Sequence, residues 1–237
     1  AFKQSGVIEV GSLTELFEVA LAFDFQPLPR GGRTVIITNA GGPAALASDA
    51  LAANGLTLDD LEPDTRATLR AALNPSAQVS NPVDILGGAA PPDYALCVKT
   101  LVKDKNVDIV LPLLVPQALV NPAGVAQAIV DESRDSGKTV LACIIGDISV
   151  DEARLVLHGA RIPMYTTAEA PAGVLKRMIE YRTWLEQPLD DKATPGCIER
   201  AAAEGILTAA HGKQRLGEAY TRPLLASYGI TQVEGGF

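Results

Sequence analysis

Short apolar runs rich in β-branched residues alternate with helical patterns along the chain, and this alternation restricts the fold more than any other feature. Strands are predicted at residues 34–38, 108–114, 139–145 and 162–165, with a weaker one near 78–79. Helices are predicted over residues 43–54, 64–73, 92–102, 123–136 and 151–158, and in a segment that ends near Trp184. This order is typical of βαβ units, so we expect an α/β fold with a flavodoxin-like, doubly wound parallel sheet of five strands.

Two of the predicted strands are apolar on both faces. The runs DIVLPLL and TVLACII carry apolar side chains at both odd and even positions. A strand with this pattern is covered on both faces, so both runs are expected at the centre of the sheet.

The beginning of the chain does not fit into that sheet. Residues 1–24 are predicted as a helix end, a strand at VIEV and a helix at SLTELFEVALAF, where Ser12 and Glu15 have the spacing of a capping box. Thr166 and Glu169 repeat this spacing, although Pro171 indicates that the second helix begins later. The pattern indicates a weak internal repeat, with residues 1–24 as the last part of an earlier domain of the same type.

The end of the chain also lies outside the sheet. The stretch DFQPLPRGGR and a second stretch that begins near residue 187 are rich in Pro, Gly or Asp and are predicted to be linkers. The final segment, GKQRLGEAYTRPLLASYGITQ, is predicted as an amphipathic helix closed by Gly229 and followed by the start of a strand.

The composition excludes several classes of function. The formal net charge is −8 and the isoelectric point is about 4.8, so nucleic acid and anionic membranes are not expected as partners. The most apolar window, residues 107–130, is interrupted by Asp108 and three prolines, which argues against a membrane span. The cysteines, Cys97, Cys143 and Cys197, form no CxxC motif. This favours core cysteines and a cytoplasmic location over a disulfide framework or a metal site.

Two adjacent glycines stand where the first strand is followed by a helix. Asn39, Ala40, Gly41 and Gly42 form the turn, and Pro43 suits the first helical turn. Helix N-termini carry unpaired N–H groups and partial positive charge, and glycine leaves room for a ligand. The turn therefore predicts a site for a phosphate or carboxylate. A tight turn without a ligand explains the glycines equally well, since the stretch matches neither the dinucleotide nor the Walker fingerprint.

Two more loops are expected at the same edge of the sheet. The loop SNPVDILGG contains Asn81, which Pro82 biases towards an extended backbone, and Asp84, for which a substrate contact and a turn cap are equally supported. The loop VPQALVNPAG contains Pro116 and Gln117; for Gln117 a solvated loop residue is the alternative.

No catalytic residue is predicted within the chain. His158 and His211 have no carboxylate or cysteine at catalytic spacing, and no Ser-His-Asp pattern or metal cluster is visible. A helix end and a linker explain the two histidines.

Four stretches, taken in order, resemble one family. RTVIITNAGGPAALASDAL, VSNPVDILGGAAPPDY, DKNVDIVLPLLVPQ and GKTVLACIIGD are similar to the NDP-forming acyl-CoA synthetases, the ADP-forming acetate–CoA ligase group related to succinyl-CoA synthetase. The resemblance implies that residues 1–24 end a first flavodoxin-like domain and that 26–186 form a second. Residues 187–212 would be a linker, and 213–237 would begin an ATP-grasp domain.

The resemblance also implies a reaction. The family converts acyl-CoA, NDP and phosphate to carboxylate, CoA and NTP through an acyl phosphate and a phosphohistidine. Residues 39–43 match a helix N-terminus that flanks the phosphohistidine, and residues 81–84 with Pro116 and Gln117 would line the acyl-phosphate region. CoA and Mg-bound ATP or ADP belong to the whole enzyme, with none expected to be held tightly by this segment.

Partners and alternatives follow from what the segment lacks. The family histidine and the CoA- and nucleotide-binding motifs are absent from these residues, so the CoA-binding, phosphohistidine and ATP-grasp domains are the expected partners, and the segment alone is expected to be inactive. Self-association is left open. One alternative is a regulatory, ligand-sensing domain of an acetyltransferase fused to a synthetase-like module. A free-standing flavodoxin-type anion-binding module is another.

Overall fold

The computed structural model describes residues 2–118, 120–187 and 198–230, which fall into two compact units, Ala1–Glu186 and Gln187–Phe237. In the first unit, strands and helices alternate from residue 34 onwards. Its strands are β1 (Thr34–Thr38), β2 (Val83–Asp84), β3 (Ile109–Leu114), β4 (Thr139–Val140), β5 (Ala142–Ile144) and β6 (Met164–Tyr165). Its α-helices are α1 (Leu13–Phe25), α2 (Gly41–Ala53), α3 (Pro63–Ala72), α4 (Pro91–Leu101), α5 (Pro122–Ser133), α6 (Asp151–Gly159) and α7 (Ala170–Glu186), with short 3₁₀ turns at Lys3–Ser5 and Ile148–Val150.

The strands form one parallel sheet in the order β2-β1-β3-β5-β6, with β4 also beside β3. Since β4 and β5 follow each other along the same side of β3, they are two halves of one interrupted strand. Counted so, the strand order is 2-1-3-4-5, which is the flavodoxin-like order. The predicted fold class is confirmed.

The interruption between β4 and β5 is caused by Pro112 in the neighbouring strand. The N–H of Leu141 donates to the carbonyl of Val110 at 3.2 Å. In a parallel ladder the next bond runs from the N–H of residue 112 to the carbonyl of Leu141, and proline has no N–H. The prediction of one continuous strand over residues 139–145 is therefore wrong.

The second strand lies later in the sequence than predicted. Val83 and Asp84 pair with Ile37 and Thr38, whereas Gln78 only forms an antiparallel bridge with Asp84. The loop SNPVDILGG thus contains the strand rather than following it. The reason is Asn81: its side-chain amide donates to the carbonyl of Thr34 at 2.7 Å and accepts from the N–H of Ile36 at 3.2 Å, so a side chain takes the places of an edge strand.

Two separate cores cover the faces of the sheet. Alternate side chains of β1 and β3 point to opposite faces: Val35 and Ile37 join one cluster, and Ile36 joins the other. Helices α3 to α6 pack on the first face, and α1, α2 and α7 pack on the second. Every residue of β3, β4 and β5 is buried, as the two apolar runs predict, and every residue of β1 is buried as well.

The N-terminal segment is only partly as expected. Residues 7–10 are not a strand, since no neighbouring strand is available to them within the described residues and a lone strand leaves its backbone groups unpaired. The capping of α1 is confirmed: Ser12 Oγ accepts the N–H of Glu15 at 3.1 Å. The Glu15 carboxylate accepts the N–H of Gly11 at 2.6 Å.

The second unit contains α8 (Arg200–Ala209) and α9 (Glu218–Ser227). Helix α8 lies inside the range 187–212 that is expected to be a linker, so part of that range is regular structure. The two helices pack together, and the N–H of Glu199 donates to the carbonyl of Ser227 at 2.9 Å. Gly229, with φ +71°, follows α9 as predicted, whereas the strand expected after it lies outside the described residues. No helix in the described residues has the length and apolar character needed to cross a membrane.

Candidate functional site

The carboxyl ends of β1, β2 and β3 bring most of the predicted site residues together. Thr38 pairs with Asp84 and with Leu113, so the residues that follow these three strands meet at one edge of the sheet. Asn39 and the glycines follow β1, Asp84 ends β2, and Pro116 with Gln117 follows β3. We call this region the carboxyl-edge site.

Asn39 joins two of these loops. It is only 3% exposed, its side-chain amide donates to the carbonyl of Val115 at 2.9 Å, and its oxygen accepts the N–H of Val115 at 2.8 Å. Both ends of the side chain are therefore bonded to the loop after β3. This pair of bonds fixes the distance between the start of α2 and the Pro116–Gln117 turn.

The N-terminus of α2 presents free backbone donors. The cap residue Ala40 has no side chain that could accept a hydrogen bond, and the first turn contains no acidic residue. Thr38 Oγ accepts the N–H of Ala40 at 3.0 Å, but the N–H groups of Gly41 and Gly42 have no acceptor within the described residues. Two amides and the positive end of a helix dipole are thus left for an outside anion.

Neither glycine is required by the fold. Both have negative φ, since the positive-φ glycines of the described chain lie elsewhere. A Cβ on Gly42 would meet no atom within 4 Å, and a Cβ on Gly41 would meet only Asp84 Oδ2 at 3.8 Å. Because glycine lowers helix stability relative to alanine, its use here has no explanation in the backbone or the packing of this chain. Both glycines are exposed, so the space before them is open.

Asp84 borders this open space. One carboxylate oxygen, Oδ1, accepts the N–H of Leu86 at 2.9 Å and so acts as the turn cap that the sequence allowed. The other oxygen, Oδ2, lies beside Gly41. A negative charge at this place limits the space for an anion to the side of Gly42.

The third side of the site is formed by Gln117. It is exposed, and its amide lies so close to Gly87 that a Cβ there would be 2.7 Å from Gln117 Nε2. The loops after β2 and β3 thus touch each other through a glycine. Gly87 and Thr38 were missed in the analysis of the sequence, although the GG pair of SNPVDILGG was a usable signal.

Asn81 does not belong to this group. Its bonds are to Thr34 and Ile36, two to four residues before the end of β1, or roughly 7–13 Å along the strand. It also donates to the carbonyl of Asp59 at 3.2 Å. Its role in the structure is to complete the edge of the sheet.

The other candidate groups are structural. Burial raises the pKa of the Cys97 and Cys143 thiols to about 12, so both remain protonated and inert, whereas Cys197 lies outside the described residues. His158 packs edge-to-face on Phe25, and burial, followed by the charge of Arg154, lowers its pKa. Among the described residues no three His, Cys, Asp or Glu side chains are grouped as a metal site requires.

Two adjoining recesses, about 330 and 510 Å³ in volume, are found at the amino edge of the sheet, on the opposite side from the carboxyl-edge site. Gly41, Gly42 and Gln117 of the carboxyl-edge site are exposed, so a second surface would be needed to exclude water from a ligand there.

Comparison with known proteins identifies the fold unit. The Ligase-CoA domain family matches residues 34–185, from the start of β1 almost to the end of α7. The chain belongs to the Ligase-CoA domain family. This confirms the resemblance to ADP-forming acyl-CoA ligases inferred from the sequence.

Curated relatives of this Ligase-CoA domain are ADP-forming ligases. The chain is 37% identical over 184 residues to the alpha subunit of acetate–CoA ligase [ADP-forming] II from Pyrococcus furiosus, with 76% of the chain and 40% of the relative covered. It is 32% identical over 233 residues to 4-hydroxybutyrate–CoA ligase [ADP-forming] from Nitrosopumilus maritimus, with 96% and 33% covered. The chain thus spans less than half the length of these relatives.

Solved structures of archaeal proteins share the Ligase-CoA domain fold. The apo form of dinucleotide-forming acetyl-coenzyme A synthetase 1 from Ca. Korarchaeum cryptofilum superposes with a TM-score of 0.71 at 31% identity, covering 77% of this chain and 40% of that one. The same enzyme in complex with phosphate and ADP gives the same values.

Proposed function

We propose that the chain is part of an NDP-forming acyl-CoA synthetase that interconverts acyl-CoA, NDP and phosphate with carboxylate, CoA and NTP. Family membership and the names of the relatives support this reaction class. The observation that carries the role of this chain is the pair of amides at Gly41 and Gly42, which have no acceptor and no obstructing atom among the described residues.

In this proposal the start of α2 binds the phosphoryl group during its transfer. The N–H groups of Gly41 and Gly42 donate to phosphoryl oxygens, and the helix dipole stabilises their negative charge without a basic side chain. Preorganised backbone donors of this kind favour a transition state in which negative charge develops. Asp84 confines the group to the side of Gly42, and Pro116 with Gln117 forms the wall that faces the acyl end.

The rest of the enzyme is proposed to come from outside the central sheet. Residues 1–24 would end a preceding flavodoxin-like domain, 26–186 would be the second such domain, and 213–237 would begin an ATP-grasp domain. A CoA-binding domain and a phosphohistidine would be supplied by the earlier part of the enzyme. CoA and the Mg-bound nucleotide would be held by those parts, and they supply the thioester and the phosphoryl acceptor. We expect no complete turnover by the 237-residue chain alone.

The experiment that tests this role replaces Gly42 by valine in the enzyme assembled with its CoA-binding, phosphohistidine and ATP-grasp parts. ATP formation from acyl-CoA, ADP and phosphate should fall by a factor of about 10² or more, because the side chain fills the space of the phosphoryl group. Gly173→Val in α7 is the matched control, since a Cβ there also meets no atom within 4 Å and the site lies elsewhere. Equal rates in the two variants would show that Gly42 only forms a turn.

A further inference from the structure

The smaller recess at the amino edge has a composition unlike the rest of the molecule. It lies where the chain enters β1, β3 and β4, and it has a volume of about 330 Å³. Five cations and two carboxylates line it, a formal excess of three positive charges in a chain whose net charge is −8. The residues that matter here are Arg30, Arg33, Lys103, Lys105, Asp108 and Lys138. We call this region the amino-edge recess.

Both carboxylates of the recess already have partners. Asp108 is bound by the guanidinium of Arg33 through two bonds of 2.8 Å, and its side chain is only 7% exposed. The two oxygens of Asp104 accept backbone N–H groups, from Glu62 at 2.9 Å and from Asn106 at 2.7 Å. Among the cations of the recess, Arg33 is therefore the one that is in direct contact with a carboxylate of the described residues.

The remaining cations of the recess form no ion pair with a described residue. Lys138 Nζ donates to the backbone carbonyls of Asp104 and Val107, which hold the ammonium group in place without cancelling its charge. The side chains of Arg30, Lys103 and Lys105 form no ion pair or hydrogen bond within the part of the chain that the structure describes. Four positive charges thus face the same recess.

The charges of the recess act on one another. Burial lowers the pKa of Lys138, the carboxylates of Asp104 and Asp108 act in the opposite direction, and the guanidinium groups of Arg33 and Arg30 lower it further. The protein thus bears a repulsion between cations that a bound anion would relieve.

We propose that the amino-edge recess is a binding site for a small, multiply charged anion of the phosphate class, held by Arg30, Lys103, Lys105 and Lys138. A single carboxylate would neutralise only one charge of the excess, whereas pyrophosphate or the phosphate chain of a nucleotide matches several. Lysine and arginine bind phosphate oxygens through charge-assisted hydrogen bonds, which are stronger than neutral ones. The volume is sufficient for such an ion, and pockets for small ligands begin at about this size.

This site is distinct from the carboxyl-edge site. The strands of the sheet separate the two edges, and the donors differ, being side chains here and backbone amides there. The anion bound here would be a regulator or a second ligand, not the phosphoryl group in transfer.

The test is calorimetric titration of the 237-residue chain with inorganic pyrophosphate, ADP and CoA at low and at moderate ionic strength. The double variant Lys103→Gln with Lys105→Gln removes two exposed, unpaired cations and should weaken binding at least about tenfold. The matched control is Lys99→Gln with Lys176→Gln, which removes the same charge from lysines outside the recess. Arg30→Gln is a second variant at the recess, and far-UV circular dichroism checks that each variant is folded.

The proposal is supported if the recess variants weaken binding while the control and Gly42→Val do not. Tighter binding of ADP or CoA than of pyrophosphate would identify a nucleotide as the source of the phosphate groups, and the reverse order would identify an inorganic ion. No binding of any of the three, or equal weakening by the control, would overturn it. Loss of binding in Gly42→Val alone would do so as well, by assigning the anion to the opposite edge. None of these outcomes depends on turnover, so the proposed ligase role is tested separately.

Discussion

The two proposed anion sites lie at opposite edges of the sheet and have opposite kinds of surface. At the carboxyl edge the donors are the N–H groups of Gly41 and Gly42, neutral groups that belong to a rigid helix and face open space. At the amino edge the donors are long, charged side chains around a recess, one of which, Arg33, is already bound to Asp108. On these two proposals, a site for a group in transfer and a site for a retained ion bind anions by different physical means. The first requires fixed donors and space, and the second requires net charge.

The largest effect is expected at Asn39, whose two hydrogen bonds to Val115 join two loops of the carboxyl edge. Asn39→Ala removes two hydrogen bonds to Val115 and leaves a buried cavity, so we expect a loss of roughly 2–3 kcal/mol in the free energy of unfolding. Urea denaturation measures it. Asn74→Ala, which removes one hydrogen bond that an exposed asparagine accepts from the N–H of Ser76, should cost well under half as much. Similar losses in the two variants would contradict the role of Asn39 in joining the two loops.

The amino edge should be sensitive to pH. The hydrogen bonds from Arg33 hold the pKa of Asp108 below its usual range, so the pair stabilises the folded chain above the unfolded pKa of about 3.9, and this stability is lost as pH falls through the folded pKa. Asp108→Asn should lower the unfolding free energy at pH 7 by about 1–2 kcal/mol, a value reduced by the exposure of Arg33.

The test is a series of denaturation curves between pH 7 and pH 2. The difference between the wild type and Asp108→Asn should shrink as pH falls below about 4. Asp24→Asn, which removes an exposed pair with Arg161, should show only a small difference at pH 7. A constant difference for Asp108→Asn would mean that its charge contributes nothing.

A smaller effect is expected where two loops of the carboxyl edge touch. Gly87→Ala places a Cβ against the end of the Gln117 side chain, which is exposed and can move, so the cost should be below about 1 kcal/mol. The double variant with Gln117→Ala should recover that cost, because the obstruction is then gone. Thermal unfolding of the four chains completes the cycle, and additive effects would show that the two residues do not interact.

The smallest expected effect is a change in stability at the start of α2, and it tests most directly why glycine is found there. Gly42→Ala adds a methyl group to the first turn of α2 where no atom lies within 4 Å, and it should stabilise the isolated chain by about 0.5 kcal/mol or leave it unchanged. Gly173→Ala should behave alike. A chain that gains stability while the assembled enzyme loses activity would show that glycine is kept there for a ligand. Destabilisation by Gly42→Ala would instead indicate a packing role.

Much of this could be read from the sequence because it depends on local patterns. The first strand was predicted to the residue, and the later start of the helix that contains Pro171 was expected, since each follows from residue type over a few positions. The break after β4 was missed because its cause, Pro112, lies on a different strand. A register is needed before the missing bond becomes visible.

The site shows the same division. The sequence indicated which loops meet at the carboxyl edge, since parallel strands impose this. It did not indicate that Asn81 bonds to the first half of β1, or that Asp84 lies beside Gly41, because a side chain's partner depends on tertiary contacts. The amino-edge recess could not be predicted from the sequence for a related reason. Its cations come from three separate segments, and the net charge of the chain is negative.

The use of Asn81 as a substitute for backbone has a consequence for the behaviour of the free chain. An open sheet edge is a template onto which another molecule can add a strand, which is a route to aggregation. Here the amide of Asn81 occupies the carbonyl of Thr34 and the N–H of Ile36, and the bridge from Gln78 covers Asp84 farther along. The addition of a strand from another molecule is therefore blocked along this border of the sheet by groups of the chain itself.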